Sequence, residues 1–239
     1  MPSSKNTPRF LLACTVSTSL FFSAGADEKE PAVATSVDQA AAEATLEKLG
    51  GHVFRDIRSG RVTEVKLNGL KKLRDADLKH VAGFVALTDL SLEETPVSSA
   101  GLKHLVKLVR LEWLNLWRTR IDDEGLAHLA RLRVLQFLPI GGTKVTDAGL
   151  LHLKGMRELS YLGLRDTVVT DSGVEHLVAL PALEELNLRS TKVTDACIPT
   201  LSKIKTLKKV WLGATSVSPD GIASLRSALP RCAIDLQEK

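Results

Sequence analysis

The sequence predicts an α/β solenoid, a row of parallel strands backed by short helices, and three observations carry that expectation. A 24-residue step places Leu87, Leu111, Leu135, Leu159, Leu183 and Leu207 in one column. After each of these leucines, apolar and other residues alternate. Leu114 and Leu116 fall on one side, and Trp113, Asn115 and Trp117 on the other, which is the two-residue period of a half-buried strand. Next come a polar pair such as Thr146-Asp147 or Thr170-Asp171 and leucines three apart (Leu126 and Leu129, Leu150 and Leu153), as at the start and buried face of a helix. The 239 residues are 44% hydrophobic and 25% charged, an ordinary globular balance, but 40 of them are leucine.

The aligned rows read LTDLSLEETPV, LEWLNLWRTRI, LQFLPIGGTKV, LSYLGLRDTVV, LEELNLRSTKV and LKKVWLGATSV. A divergent first row, VTEVKLNGLKKL from Val62, carries one inserted residue, and RCAIDL from Arg231 closes the series. L-x-x-L-x-L at this period is the signature of leucine-rich repeats. A single row cannot bury its own leucines, whereas seven stacked rows form one continuous core between sheet and helices. The expected architecture is a right-handed solenoid with a concave parallel sheet and convex helices. The Thr that follows each strand (95, 119, 143, 167, 191, 215) is expected to satisfy loop backbone groups.

In chain order, residues 1–26 read as an export signal. Lys5 and Arg9 form a basic start, Phe10 to Phe22 an apolar stretch, and Ser23-Ala24-Gly25-Ala26 a small-residue cleavage site. Cleavage near Ala26 is the expectation. An uncleaved anchor is one alternative. A lipoprotein reading through Leu11-Leu12-Ala13-Cys14 is another, and it would leave only Phe10 to Ala13 as the hydrophobic stretch. No apolar run reaches the roughly 20 residues of a membrane span. Residues 27–35 read as a flexible linker. Residues 36–61 read as an N-terminal cap, in which Ser36 and Gln39 fit a capping box, Gly50-Gly51 ends the helix, and a hairpin turns at Ser59-Gly60. Rows fill 62–229, and 230–239 form a terminal strand and tail.

The rows L-x-x-L-x-L-x-x-T-x-V-T-D-x-G-L-x-x-L resemble the cysteine-containing type of repeat in eukaryotic F-box leucine-rich-repeat proteins, and more closely exported bacterial proteins built from the same unit. The resemblance covers residues 62–236. It implies a curved solenoid with a protein-binding role. It also raises an adaptor role in a ubiquitin-ligase-like assembly, although the stretch ahead of the repeats is expected to leave no room for an F-box.

No catalytic motif is present: there is no G-x-S-x-G, P-loop, G-x-G-x-x-G, H-E-x-x-H or C-x-x-C, so a non-enzymatic role is expected, with no cofactor and no metal. His80, His104, His128, His152 and His176 recur at 24-residue steps but lack a column of Cys or carboxylate ligands, and read as half-exposed repeat positions. Cys197 and Cys232 lie in different columns and read as free thiols. Beyond residue 26 the basic and acidic side chains nearly balance, so the net charge of +4 does not indicate nucleic acid.

The binding expectation rests on the outward columns. Trp113, Phe137 and Tyr161 share one column in three consecutive rows, about 4.8 Å apart, with Trp117 and Trp211 on the same face. Large rings facing solvent suit an interface, although stacking that only stiffens the sheet would produce the same pattern. Glu93 and Glu94 lie toward the N-terminal side, and Arg118, Arg165 and Arg189 toward the C-terminal side, a polarity that would orient a partner. Two ligand classes fit these residues: a protein or peptide, and a carbohydrate stacked on the rings.

Overall fold

The computed structural model describes residues 36–237, so the export signal and linker read at 1–35 lie outside the described residues. Helix α1 (Ser36–Lys48) opens the chain, and antiparallel strands β1 (His52–Arg55) and β2 (Val62–Lys66) follow. Alanines give α1 its propensity, and Leu46 anchors it by complete burial. The Gln39 amide donates to the Gly83 carbonyl at 3.2 Å, fixing α1 on the 3₁₀ return (Asp75–Gly83) that follows β2. Gly50 ends the helix in the left-handed region, at φ 94°.

From β2 onward every strand pairs in parallel with the next, in sequence order, to the edge of a nine-stranded sheet. The strands are β3 (Asp89–Ser91), β4 (Trp113–Asn115), β5 (Phe137–Pro139), β6 (Tyr161–Gly163), β7 (Glu185–Asn187), β8 (Lys209–Trp211) and β9 (Ala233–Asp235). Each is three residues long, with its middle residue facing the core and its outer two facing the open side. Register is unbroken: Asp89 pairs with Trp113, Trp113 with Phe137, Phe137 with Tyr161, Tyr161 with Glu185, and Glu185 with Lys209. The leucine columns are fully buried, Leu114, Leu116, Leu162 and Leu164 among them. This is a leucine-rich-repeat solenoid of the α/β class.

From β3 to β8 the turn after each strand is built the same way. Its Thr hydroxyl donates to the carbonyl three residues back, as in Thr143 to Ile140 and Thr167 to Leu164, both 2.6 Å. The residue before the Thr takes a left-handed conformation even where it is not glycine: Glu94, Arg118, Asp166, Ser190 and Ala214 have φ between 51° and 57°. Such a conformation costs on the order of 1–3 kcal/mol at a non-glycine residue. A bond to the next row opposes that cost: the Glu94 N–H donates to the Trp117 carbonyl at 2.8 Å, and the Arg118 N–H to Gly141 at 2.8 Å.

The returns are shorter and tighter than the continuous helices their leucine spacing suggests. Helices α2 (Ser99–Leu102) and α4 (Asp147–Leu150) run on into 3₁₀ turns, whereas α3 (Asp123–Leu129) and α5 (Asp171–Leu177) do not. Helix α6 (Ile198–Leu201) follows a 3₁₀ turn, and α7 (Pro219–Ala228) is the longest of the returns. Strands are about 4.8 Å apart and packed helices about 8–10 Å, so narrower 3₁₀ turns help rows of one pitch fit on both sides.

A polar ladder ties these returns together. In each pair Thr-Asp, the Thr caps its own helix and the Asp reaches the following row. Asp147 accepts the N–H and hydroxyl of Thr170 at 2.8 and 2.6 Å, and Asp171 does the same for Thr194. A glycine two residues beyond the Thr-Asp pair makes room: a Cβ at Gly149 would lie 2.3 Å from Asp123 Oδ1. One row exchanges the parts. There Ser99 donates to Asp122 at 2.6 Å, and Asp122 both caps α3 and donates its N–H to Ser99. Where Cys197 replaces the glycine, the return starts as a 3₁₀ turn. Burial, with Asp171 and Asp195 adding to it, pushes that thiol up to about 12, so Cys197 stays protonated and unreactive.

Candidate binding surface

The outward strand positions form a floor of three columns. The first holds Asp89, Trp113, Phe137, Tyr161, Glu185 and Lys209, whose backbones the ladder register places side by side. Trp113 and Phe137 stack at 5.5 Å and 10°, and Phe137 and Tyr161 at 4.1 Å and 16°. Trp211, two rows beyond Tyr161, meets it edge-on at 6.2 Å and 74°. All four rings are half-buried. Burial raises the Tyr161 phenol above its ordinary value, a hydrogen bond with Asn187 partly opposing it.

Trp117 lies across a gap in the third column. A Cβ at Gly141 would come within 2.3 Å of the Trp117 ring, so the missing side chain lets the indole lie on the next row's backbone. The guanidinium carbons of Arg118 and Arg165 sit 5.6 and 5.8 Å from that ring, within cation–π range. Pro139 and Gly163 beside it are both buried, and the Tyr161 ring lies over Gly163, where a Cβ would meet it at 3.1 Å. The space left by the two glycines is thus taken up by the Trp117 and Tyr161 rings.

The charged residues are placed differently from their sequence reading. Arg118 pairs with Glu94 of the preceding row at 3.1 Å, and Arg165 Nε lies 3.3 Å from its neighbour Asp166. Arg189 is not a rim residue: it is 9% exposed and donates to Asp235, two rows on, at 2.9 Å. Its length lets it lie flat along the floor and reach an acid there. Glu93 accepts from Asn68 and Asn115 at 3.3 and 3.1 Å, and Asn115 in turn accepts the Trp117 N–H at 2.9 Å. Only Glu94 and Arg118 join the two sides; Glu93 is held by amides, and Arg165 and Arg189 meet acids outside the N-terminal group.

Sequence reasoning missed Asn115, Gly141 and Gly163, which shape the floor. The visible signal was the loss of a side chain at outward positions in two successive rows, beside rows that keep large ones. Cys197 and Cys232 are both free and buried, with burial raising the Cys232 thiol as well. Among the described residues, no group of three or more His, Cys, Asp or Glu is placed to hold a metal ion, and no helix is long and apolar enough to cross a membrane.

Fold and surface together define a leucine-rich-repeat solenoid with an aromatic row on the open face of its sheet. No protein-family model and no curated protein matches the chain. Among solved structures it is similar to an internalin of Listeria monocytogenes, with a TM-score of 0.59 and 19% identity over 74% of this chain and 48% of that one. It is also similar to internalin C2 of Listeria monocytogenes, with a TM-score of 0.58 and 21% identity over 74% of this chain and 81% of that one. The chain thus spans about half the length of the first of these (48%), and the likeness is one of fold.

Proposed function

We propose that this chain is a non-catalytic binding module that recognises a protein or peptide through the aromatic row and Trp117 beside it. The observation that carries this reading is the stack of Trp113, Phe137 and Tyr161, which keeps part of three large rings in contact with solvent on one face. Aromatic residues in a well-packed setting are the usual anchors of a protein interface. The internal pairing of Arg118, Arg165 and Arg189 leaves apolar contact, rather than net charge, as the main attraction on this face. The carbohydrate alternative draws less support. A sugar needs an open ring face, while Phe137 has Trp113 and Tyr161 on its two sides.

Export by the N-terminal 26 residues, with a mature chain starting at Asp27, belongs to the same reading and rests on the ordered basic, apolar and small-residue regions. Kinship with the cysteine-containing repeat type rests on the T-D-x-G run, whose Thr, Asp and Gly build the inter-row ladder.

Affinity capture from envelope extract, with wild type and Trp113→Ala as paired baits, tests the function. A protein held by wild type should bind the variant more weakly by about 2 kcal/mol or more, roughly thirtyfold in Kd. Equal binding of every captured protein to both baits would overturn the reading. Specific retention on a glycan array, lost in the variant, would replace it with the carbohydrate alternative.

A further inference from the structure

Charge is handled in opposite ways on two surfaces of this molecule. On the sheet face, lysines and arginines have carboxylate partners: Lys66 with Glu64, Arg118 with Glu94, and both Arg189 and Lys209 with Asp235. At the edge where three successive returns turn back into strands, six do not. Lys107 and Arg110, Arg131 and Arg133, and Lys154 and Arg157 occupy this edge in three successive rows, all exposed. None of the six enters an ion pair or a side-chain hydrogen bond among the described residues. Only Glu112 and Glu158 share these segments, so positive charge dominates the edge.

The edge is also held in place. Leu108, Leu132 and Met156 are fully buried between the cations, and each donates its N–H to the carbonyl three residues back at 2.9 Å. Arg133, Lys154 and Arg157 line one shallow recess of about 420 Å³ with Val134, Gly155 and Glu158. Aliphatic tips stand among and beside the cations: Val109 is 54% exposed, and Val85 and Val178 in flanking rows 42% and 43%. Like charges on neighbouring rows repel one another, and exposed valines gain nothing from water, so neither feature serves the fold.

We propose that this edge docks the protein on an anionic lipid surface, with the cations on headgroup phosphates and the valines entering the interface. Charge complementarity selects an anionic partner. The exposed valines favour a bilayer over a dissolved polyanion, which would use the cations alone. The site is independent of the aromatic row.

Co-sedimentation of the full chain with vesicles tests this, using phosphatidylcholine alone and phosphatidylcholine mixed with phosphatidylglycerol. Binding is expected on the mixed vesicles only, and it should weaken as salt is raised. Arg133→Ser and Arg157→Ser should each weaken it about fivefold, as expected for one cation near such a surface. Val109→Ser should weaken it about threefold, while Trp113→Ala should leave it unchanged. These side chains are exposed, so the variants should melt as wild type does, and a thermal scan checks that. Equal binding to both vesicle types, or undiminished binding of the arginine variants, would overturn the proposal. Tight binding to inorganic polyphosphate without vesicle binding would assign the edge to a soluble polyanion instead.

Discussion

Two ladders cross the same rows, one on each side of the core, and they tolerate change very differently. On the helical side, Asp-to-Thr or Asp-to-Ser bonds recur with nearly the same geometry from Asp75–Ser98 to Asp195–Ser218. On the sheet face, one column passes from Asp89 through three aromatics to Glu185 and Lys209 without disturbing the register. The first ladder satisfies backbone and hydroxyl groups next to the core, where an unmet partner is costly. The second meets water and is free to vary, so the information that distinguishes one row from another lies there.

The comparison is broken most severely by removing what both ladders stand on. Leu164→Ala should cost about 2–5 kcal/mol in a denaturant titration, because it leaves a cavity in a close-packed interior. Asp147→Ala comes next, at about 1–3 kcal/mol, since it strands the N–H and hydroxyl of Thr170. The exchanged row offers a sharper version. Ser99→Asp alone sets a second carboxylate against Asp122 and should destabilise, while adding Asp122→Thr restores the pattern of the other rows. The double variant should recover most of the loss, a coupling of about 0.5–3 kcal/mol. Phe137→Ala, by contrast, should cost only about 0–1 kcal/mol of stability despite removing a ring stacked on both sides. A loss as large as that of Leu164→Ala would make the aromatic row part of the core.

The smallest effect concerns pH. The Ser99 hydroxyl holds Asp122 below the ordinary carboxylate value of 3.8, and the Ser218 hydroxyl does the same for Asp195. A lowered folded-state pKa means that the folded protein binds fewer protons than the unfolded chain. The resulting stability is present above the ordinary value and is lost as pH falls through the lower folded one. The melting temperature should therefore hold steady through mildly acid solution and decline below about pH 4. Ser218→Ala should make that decline shallower. An unchanged slope in the variant would show that this bond contributes nothing to the acid response.

Much of the fold was legible because a solenoid repeats its local rules. Alternation placed Leu114 inside and Trp113 outside, the 24-residue step put Phe137 and Tyr161 beside it, and the Thr column anticipated the hydroxyl-to-carbonyl bonds. The ladder's Asp was visible only as half of a helix cap. That the glycine after it in T-D-x-G makes room for the Asp of the preceding row came only from the structure. Period and pattern specify which face a side chain leaves from. They do not specify where a long side chain ends. Trp117 lies down because Gly141 is missing a side chain in the next row, and Arg189 is buried because Asp235 waits two rows on. The sequence alone thus determined the rows, the core and the aromatic column, all set by local periodicity. Tertiary structure decided the floor, the pairing of charges and the cations left unpaired at the edge, because those depend on which residues adjacent rows bring within reach.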